Sequence, residues 1–320
     1  MKKIITKKLL IPTIALVILV GLYFFPSIND SKVNLNDKQE LSYVYTNYDQ
    51  TIYLIDSNNY VSKTTIAIDS TKDTLTKAKE MLEALIIDGK KQDIIPNGFS
   101  SIIPSTTSIK ELTLEDTTLK INFSKELLTI NNKLEDKMIE AIIYSLTSIE
   151  GINNIVIMVD GNILTNLPHS KKNIPPILNR DYGINKTYSL NSLNDVQQVT
   201  VYYVNSYNNN TYYTPVTKVI NNEDDKIKII INELTSTSIY ESNLMSYLNT
   251  NTKLVEYSTT DDVMNLHFNN YLFDTMEEKN ILEEVMYTIL LSIKDNYDVE
   301  EVGFYVDDKE VAIKSLLSIY

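Results

Sequence analysis

The sequence predicts an α/β protein of the α+β type, with one transmembrane helix followed by two copies of a domain in which two helices pack on a mixed β-sheet. Three observations carry this reading. A 17-residue uncharged run, Leu9 to Phe25, follows a lysine-rich start. The remainder superposes on itself at an offset of 145 residues. Each copy alternates period-two segments with period-3.6 segments, the signatures of half-buried strands and amphipathic helices.

The N-terminal run can just span a bilayer. Lys2, Lys3, Lys7 and Lys8 precede it and no basic residue follows at once. Residues 1–8 are therefore expected in the cytoplasm, 9–25 in the membrane and everything after Pro26 outside, giving a single-pass protein of the cell membrane with extracytoplasmic domains. A cleaved signal peptide is the competing reading, but Tyr23-Phe24-Phe25-Pro26 is bulky where a cleavage site needs small residues. Residues 26–46 read as a polar stalk.

In the repeat, Leu82 to Leu128 falls without a gap on Ile227 to Phe273. Leu85-Ile86 meets Ile230-Ile231, Ser101 meets Ser246, Ile109 meets Leu254, and Phe123 meets Phe268. Hydrophobic register survives while surface identity is lost, as a duplicated fold requires when packing constrains only its core. Domains are expected over 47–165 and 195–320.

In the first copy, Thr51 to Ile55 and Tyr60 to Ile68 read as strands. A helix follows, capped by Ser70 to Asp73, carrying Leu75, Ala78, Leu82, Leu85 and Ile86 on one face, and ended by Gly89. Ile109 to Leu114 and Leu119 to Phe123 form a hairpin around a polar turn. A second helix spans about Lys133 to Ile149, and Ile155 to Val159 is a buried strand. One apolar stripe per helix implies one sheet to cover. In the second copy the strands are Val199 to Val204, Tyr212 to Ile220, Val255 to Thr259, Val263 to Phe268 and Val302 to Val306, with helices near Asp225 to Leu234 and Glu277 to Ile293.

Between the copies, 166–194 holds Pro168, Pro175 and Pro176 and no sustained period. Ile174, Ile177, Leu178 and Ile184 are too apolar for a free tether. This linker is expected to pack along the domains and fix their orientation.

Composition narrows the function. With 43% hydrophobic and 22% charged residues the chain is globular. Four of its 29 basic residues precede the first acid, Asp30, leaving 25 basic against 42 acidic residues downstream. So acidic a surface, without a basic aromatic stripe, disfavours nucleic acid. The absence of cysteine removes disulfides, thiolate metal sites, cysteine nucleophiles and an N-terminal lipid-bearing cysteine.

Candidate chemistry is sparse. The two histidines are His169, in the linker, and His267, read as a strand residue with a satisfied hydrogen bond and no second ligand or base beside it. Asp160, Gly161, Asp307 and Asp308 end equivalent strands and read as turn residues, Asp160 bonding its own backbone. Asn222-Glu-Asp-Asp225 reads as helix capping. The stretch Gly98 to Ser108, with Gly98, Ser100, Ser101, Pro104, Thr106 and Thr107, is either an exposed recognition loop or the turn chemistry of a helix-to-strand crossing. No catalytic, metal or cofactor residues are assigned.

Leu85-Ile-Ile-Asp-Gly89, Gly98-Phe-Ser-Ser-Ile-Ile-Pro104-Ser-Thr-Thr-Ser-Ile109, Leu119-Lys-Ile-Asn-Phe-Ser124, Tyr144-Ser-Leu-Thr147 and Ile155-Val-Ile-Met-Val-Asp-Gly161 together resemble the GerMN domain of sporulation and germination proteins. The resemblance covers about 45–315, including Leu178-Asn-Arg-Asp-Tyr-Gly-Ile-Asn185 of the linker. It implies a fold like ring-building modules, no catalysis and no cofactor. The implied role is an extracytoplasmic scaffold supporting an envelope channel complex between mother cell and forespore, affecting cortex formation and germination. Its implied partners are envelope proteins and other copies of the chain. The second copy departs from the motif, with Asn243 and Asn249 in place of Gly98 and Pro104. The alternatives are a peptidoglycan-acting envelope enzyme, signalled by acids clustered in a cleft, and a glycan- or solute-binding module, signalled by stacked exposed tyrosines.

Overall fold

A computed structural model describes residues 49–236, 243–275, 277, 279–317 and 319. The expected tail, membrane helix and stalk lie outside the described residues. Among those described, no helix is long and apolar enough to cross a membrane.

The first repeat opens with an antiparallel hairpin, β1 (Asp49–Asp56) and β2 (Val61–Ala67), followed by helix α1 (Thr74–Leu85) and a two-residue strand β3 (Phe99–Ser100) on the outer side of β1. Asp73 caps α1 by accepting a 3.0 Å bond from the Thr76 amide. The helix stops well before Gly89, because Ile86 is drawn into an extended bridge with Ile103 and the Ile102 and Ile103 amides take the Leu85 carbonyl. Strands β4 (Ile109–Glu115) and β5 (Thr118–Phe123) form the expected hairpin. Helix α2 (Glu135–Leu146) then crosses to β6 (Asn154–Val159), parallel to β5, and β7 (Asn162–Ile163) closes a four-stranded mixed sheet.

After the short strand β8 (Thr187–Ser189) of the linker, the second repeat runs β9 (Val196–Tyr207), β10 (Asn210–Asn221), α3 (Lys226–Thr235), β11 (Leu254–Thr260), β12 (Val263–Phe268), α4 (Glu283–Asn296), β13 (Glu301–Val306) and β14 (Lys309–Ser315). Strands β11 to β14 repeat the mixed sheet, with β12 and β13 parallel. The same register shift falls at Ile109/Glu111 and at Leu254/Glu256, positions that the sequence offset superposes. Helix α4 starts six residues later than its periodicity suggests. Lys279 has φ +52°, which interrupts a helix, and the Glu283-Glu284 pair supplies negative charge to the first turn that does form. Strand β14 escaped notice in the sequence because Lys309 to Ser315 alternates charged and apolar residues only loosely, and it lies half exposed.

One expectation fails. Each repeat does not cover one sheet; its strands divide between a hairpin and a four-stranded sheet, and the two hairpins join. β2 pairs with β10 at Lys63 and Tyr213, so β3, β1, β2, β10, β9 and β8 make one six-stranded sheet across both repeats. Two cores flank it. The first includes Leu167, Ile174, Leu178 and Ile184 of the linker, each at most 4% exposed, while Ile177 remains outside at 57%. At roughly 1.5–3 kcal/mol per buried aliphatic chain, those four side chains bind the linker to the first repeat.

Candidate functional site

The join between the repeats gathers the polar groups that sequence inspection left scattered. Equivalent residues meet there. Ser145 on α2 receives the Tyr53 amide at 2.9 Å, and Ser292 on α4 receives the Tyr202 amide at the same distance. Tyr53 and Tyr202 thus occupy matching positions, and their hydroxyls touch at 2.8 Å. One residue pair along, Ser62 and Thr214 meet hydroxyl to hydroxyl at 2.6 Å. Asn205 donates to Asp56, its counterpart, at 3.2 Å. Like meeting like across a common axis is an isologous contact.

Asp56 is buried yet saturated. It accepts bonds from the Asn58 and Tyr60 amides, the Ser62 hydroxyl, Asn205 and the Tyr212 hydroxyl. That supply offsets the cost of removing a carboxylate from water. Burial, then the nearby Asp56 charge, pushes the Tyr212 phenol above its ordinary range.

Arg180, the chain's only arginine beside 28 lysines, comes from the linker. Its guanidinium reaches Asp295 on α4 at 2.5 Å, Thr147 and Ser148 at 3.0 Å each, and the Tyr144 carbonyl at 3.3 Å. It also lies 4.7 Å over the Tyr144 ring. Asp295 accepts a second bond from Tyr202 at 2.7 Å. A planar fork with this many partners is work for arginine and not for lysine. Lys63, on the same join, is 8% exposed. Burial, then repulsion from Lys294 and Arg180, pulls its ammonium down to about 7.

Farther along the linker, Asn185 donates to both the Val61 and Pro215 carbonyls at 2.8 Å, touching both repeats. Lys186 forms a 2.7 Å ion pair with Glu140, and the Ile184 amide donates to Thr217 at 2.9 Å. His169 is held through its amide to Glu135 at 2.7 Å and by its ring to the Ile130 carbonyl at 2.6 Å.

The Gly98–Ser108 stretch alternates between core and surface. Ser101 and Thr107 are buried, Gly98 and Pro104 half-buried, and Ser100 and Thr106 exposed. Ser101 donates to the Ala84 carbonyl at 2.7 Å. Gly98 has φ +90°, and a Cβ there would sit 2.5 Å from the Tyr207 ring of the other repeat. Phe99 meets Tyr212 edge-on at 4.8 Å. In the second copy Asn243 takes φ +55°, a left-handed conformation asparagine tolerates. The 2.9 Å turn from the Thr107 amide to the Pro104 carbonyl recurs from Thr252 to Asn249 at 2.8 Å. The Gly and Pro differences therefore leave the positive φ and this turn in place.

Asp160 and Gly161 form the two-residue turn between β6 and β7, both at positive φ, and Asp307 and Asp308 do so between β13 and β14. Asp160 does not bond its own backbone; its carboxylate pairs with Lys110 at 2.6 Å. Asp225 stands at the start of α3 without a side-chain capping bond. His267 departs from its sequence reading. Its Nδ1 is buried without a hydrogen-bond partner, with Glu256 at 3.8 Å and Asp308 at 3.6 Å. These three offer ligand atoms within 4.8 Å of one another, but Glu256 and Asp308 are 68% and 95% exposed, and nothing fixes their carboxylates. The strand-to-turn return places Asp308 there, a proximity invisible in linear spacing.

The family model described as "Germane: Sporulation and spore germination" matches residues 51–165 and 200–312, one match per repeat. The chain belongs to the Germane family. It is 32% identical over 263 residues to the spore germination protein GerM of Bacillus subtilis (strain 168), covering 81% of this chain and 71% of that protein. It is also similar to the solved tandem GerMN domains of the sporulation protein GerM from Bacillus subtilis, at 31% identity and TM-score 0.74, covering 82% of this chain and 92% of that one. The duplicated sheet-and-helix unit is thus the tandem Germane arrangement, and the protein is related to sporulation and germination.

Proposed function

We propose that this Germane protein is a membrane-anchored, extracytoplasmic, non-catalytic scaffold of a sporulation envelope complex, acting on cortex formation and germination. The observation that carries the reading is the join: a shared sheet and a bonded linker hold two copies of one module in fixed relation. A body of that kind presents two equivalent outer edges, β4 and β11, both mostly exposed, at a set spacing. Exposed strand edges are natural pairing surfaces, and the charges on these two select the partner. The buried acids Asp56 and Asp295 are engaged in holding the repeats together and His169 ties the linker to the first repeat, which favours the scaffold over the peptidoglycan enzyme. The stacked tyrosines Tyr213 and Tyr287 pack against the second core, which favours it over the glycan binder.

The test has two arms. In sporulating cells the protein should fractionate with membranes, keep its N-terminus, and lose its repeats to external protease. Recovery of a chain beginning near residues 26–30 would refute the anchor. Substituting His267→Asn or Asp160→Asn should leave spore cortex and germination normal. A stable, correctly localised variant lacking function would refute the non-catalytic reading.

A further inference from the structure

At the join a cavity of about 200 Å³ opens between the hairpins, the linker and α4. Its charged lining is Lys63, Arg180, Lys294 and Asp295, with the Tyr53 and Tyr202 rings beside them. Three cations face one carboxylate, in a protein whose net charge is −13. The carboxylate is already committed, with one oxygen to Arg180 and the other to Tyr202. Arg180 is correspondingly matched. The excess charge belongs to the two lysines.

Lys294, at the exposed rim, donates to the Leu316 and Ile319 carbonyls at 2.9 and 3.0 Å. An ammonium has three donors, so one is left over. Lys63 lies opposite Tyr53 in the β1–β2 register, so both side chains leave the same face of the sheet. Among the described residues Lys63 enters no ion pair; its carboxylate neighbour is Asp295, acting at longer range. A buried ammonium with room beside it and no counter-charge in contact is half of an ion pair. The repeats differ here, because the matching position in β10 is Pro215, which faces Tyr202 as Lys63 faces Tyr53.

We propose that this cavity is an anion site for one small oxyanion of the phosphate or dicarboxylate class, bound by Lys63 and Lys294. The volume sets the class: it falls below the roughly 300 Å³ at which drug-sized pockets begin. Arg180 and Asp295 position the site, and Tyr53 and Tyr202 wall it. Binding draws a proton onto Lys63 above neutral pH, since an adjacent anion restores the charge that burial suppresses. Of the groups facing Lys63, Lys294 and Arg180 oppose that uptake and Asp295 supports it.

The experiment is isothermal titration of the full chain with inorganic phosphate and with malonate, against chloride at matched ionic strength. Malonate is titrated at pH 8 in two buffers of different ionisation enthalpy. The expected result is one saturable site per chain for at least one of the two anions, weakened at least tenfold in both Lys63→Met and Lys294→Met. Where malonate binds, proton uptake should accompany it and vanish in Lys63→Met. Lys63→Arg should retain binding, and Lys110→Met, on the exposed face, should be unchanged. Which anion binds decides between phosphate and dicarboxylate. No saturable binding of either, or binding equal in wild type and in a folded Lys63→Met, would overturn the proposal.

Discussion

Replacing Asp295 with alanine strips Arg180 of its counter-charge and Tyr202 of an acceptor. The Asp295 side chain is 4% exposed and that of Arg180 27%. Breaking a buried pair from one side costs about 3–5 kcal/mol. Because a quarter of the arginine still reaches water, the lower end applies, about 3 kcal/mol. For a chain of this size that is a fall in Tm of roughly 5 °C. Arg180→Ala should cost a similar amount, since it also forfeits Thr147, Ser148 and the Tyr144 ring. The double variant should be less damaging than the sum of the singles by about 1–3 kcal/mol, the coupling of residues in direct contact. Arg180→Lys should recover only part of the loss, because one ammonium cannot serve Asp295, Thr147 and Ser148 together. Urea unfolding of the four variants measures all of this. Single variants within about 0.5 kcal/mol of wild type, or strictly additive ones, would refute the view that this pair locks the repeats together.

Lys63 makes stability depend on pH. Its folded value is about 7 against 10.5 for the ordinary group, so between those limits the unfolded chain holds more protons and stability rises with pH. From pH 7 to 9 the gain is about 2 kcal/mol, because Lys63 is already half deprotonated in the folded state at pH 7, and Lys63→Met should remove that slope; equal slopes in urea titrations at the two pH values would exclude the effect. Gly98→Ala should cost about 1–3 kcal/mol through its positive φ and the Tyr207 ring, whereas Asn243→Gly in the second copy should change stability by less than about 1 kcal/mol. Chemical unfolding of both distinguishes a packing glycine from an exposed recognition loop. Limited proteolysis should cut the linker between Ser189 and Asp195, where Leu190 and Leu193 are exposed, and spare 172–186. Early cleavage inside 172–186 would show that the bonded linker opens readily.

The repeat, the helices and the inner strands were legible because each depends on local period and on a core whose register both copies preserve. Leu119, Ile121 and Phe123 announce β5, as Met264, Leu266 and Phe268 announce β12. The pairing of β2 with β10 was not legible, since it depends on residues such as Ser62 and Thr214 that look like ordinary strand polar positions. Asp56 was hidden for the same reason: two of its five partners, Asn205 and Tyr212, come from the other repeat. Arg180 did carry a signal. One arginine among 28 lysines marks a place where a point charge would not suffice, and it stood within the very linker motif that carried part of the family resemblance. The Glu256, His267 and Asp308 grouping required the β13–β14 turn to be located first.

The axis between Ser62 and Thr214 has a historical reading. A contact in which each residue meets its own counterpart is what two identical chains make when they dimerise, and this protein has that contact inside one chain. It is built like a homodimer whose halves are joined, with 166–194 as the connection. Fusion keeps the second half at high local concentration whatever the protein's abundance. It also releases the halves from having to match, so that one may carry a lysine where the other carries a proline. A dimer built this way is closed at its centre: β2 meets β10 at Lys63 and Tyr213, and β8 takes β10 farther along at Lys218 to Ile220. A first repeat expressed alone would expose its β2 edge again, and self-association of that fragment would be the old dimer reappearing.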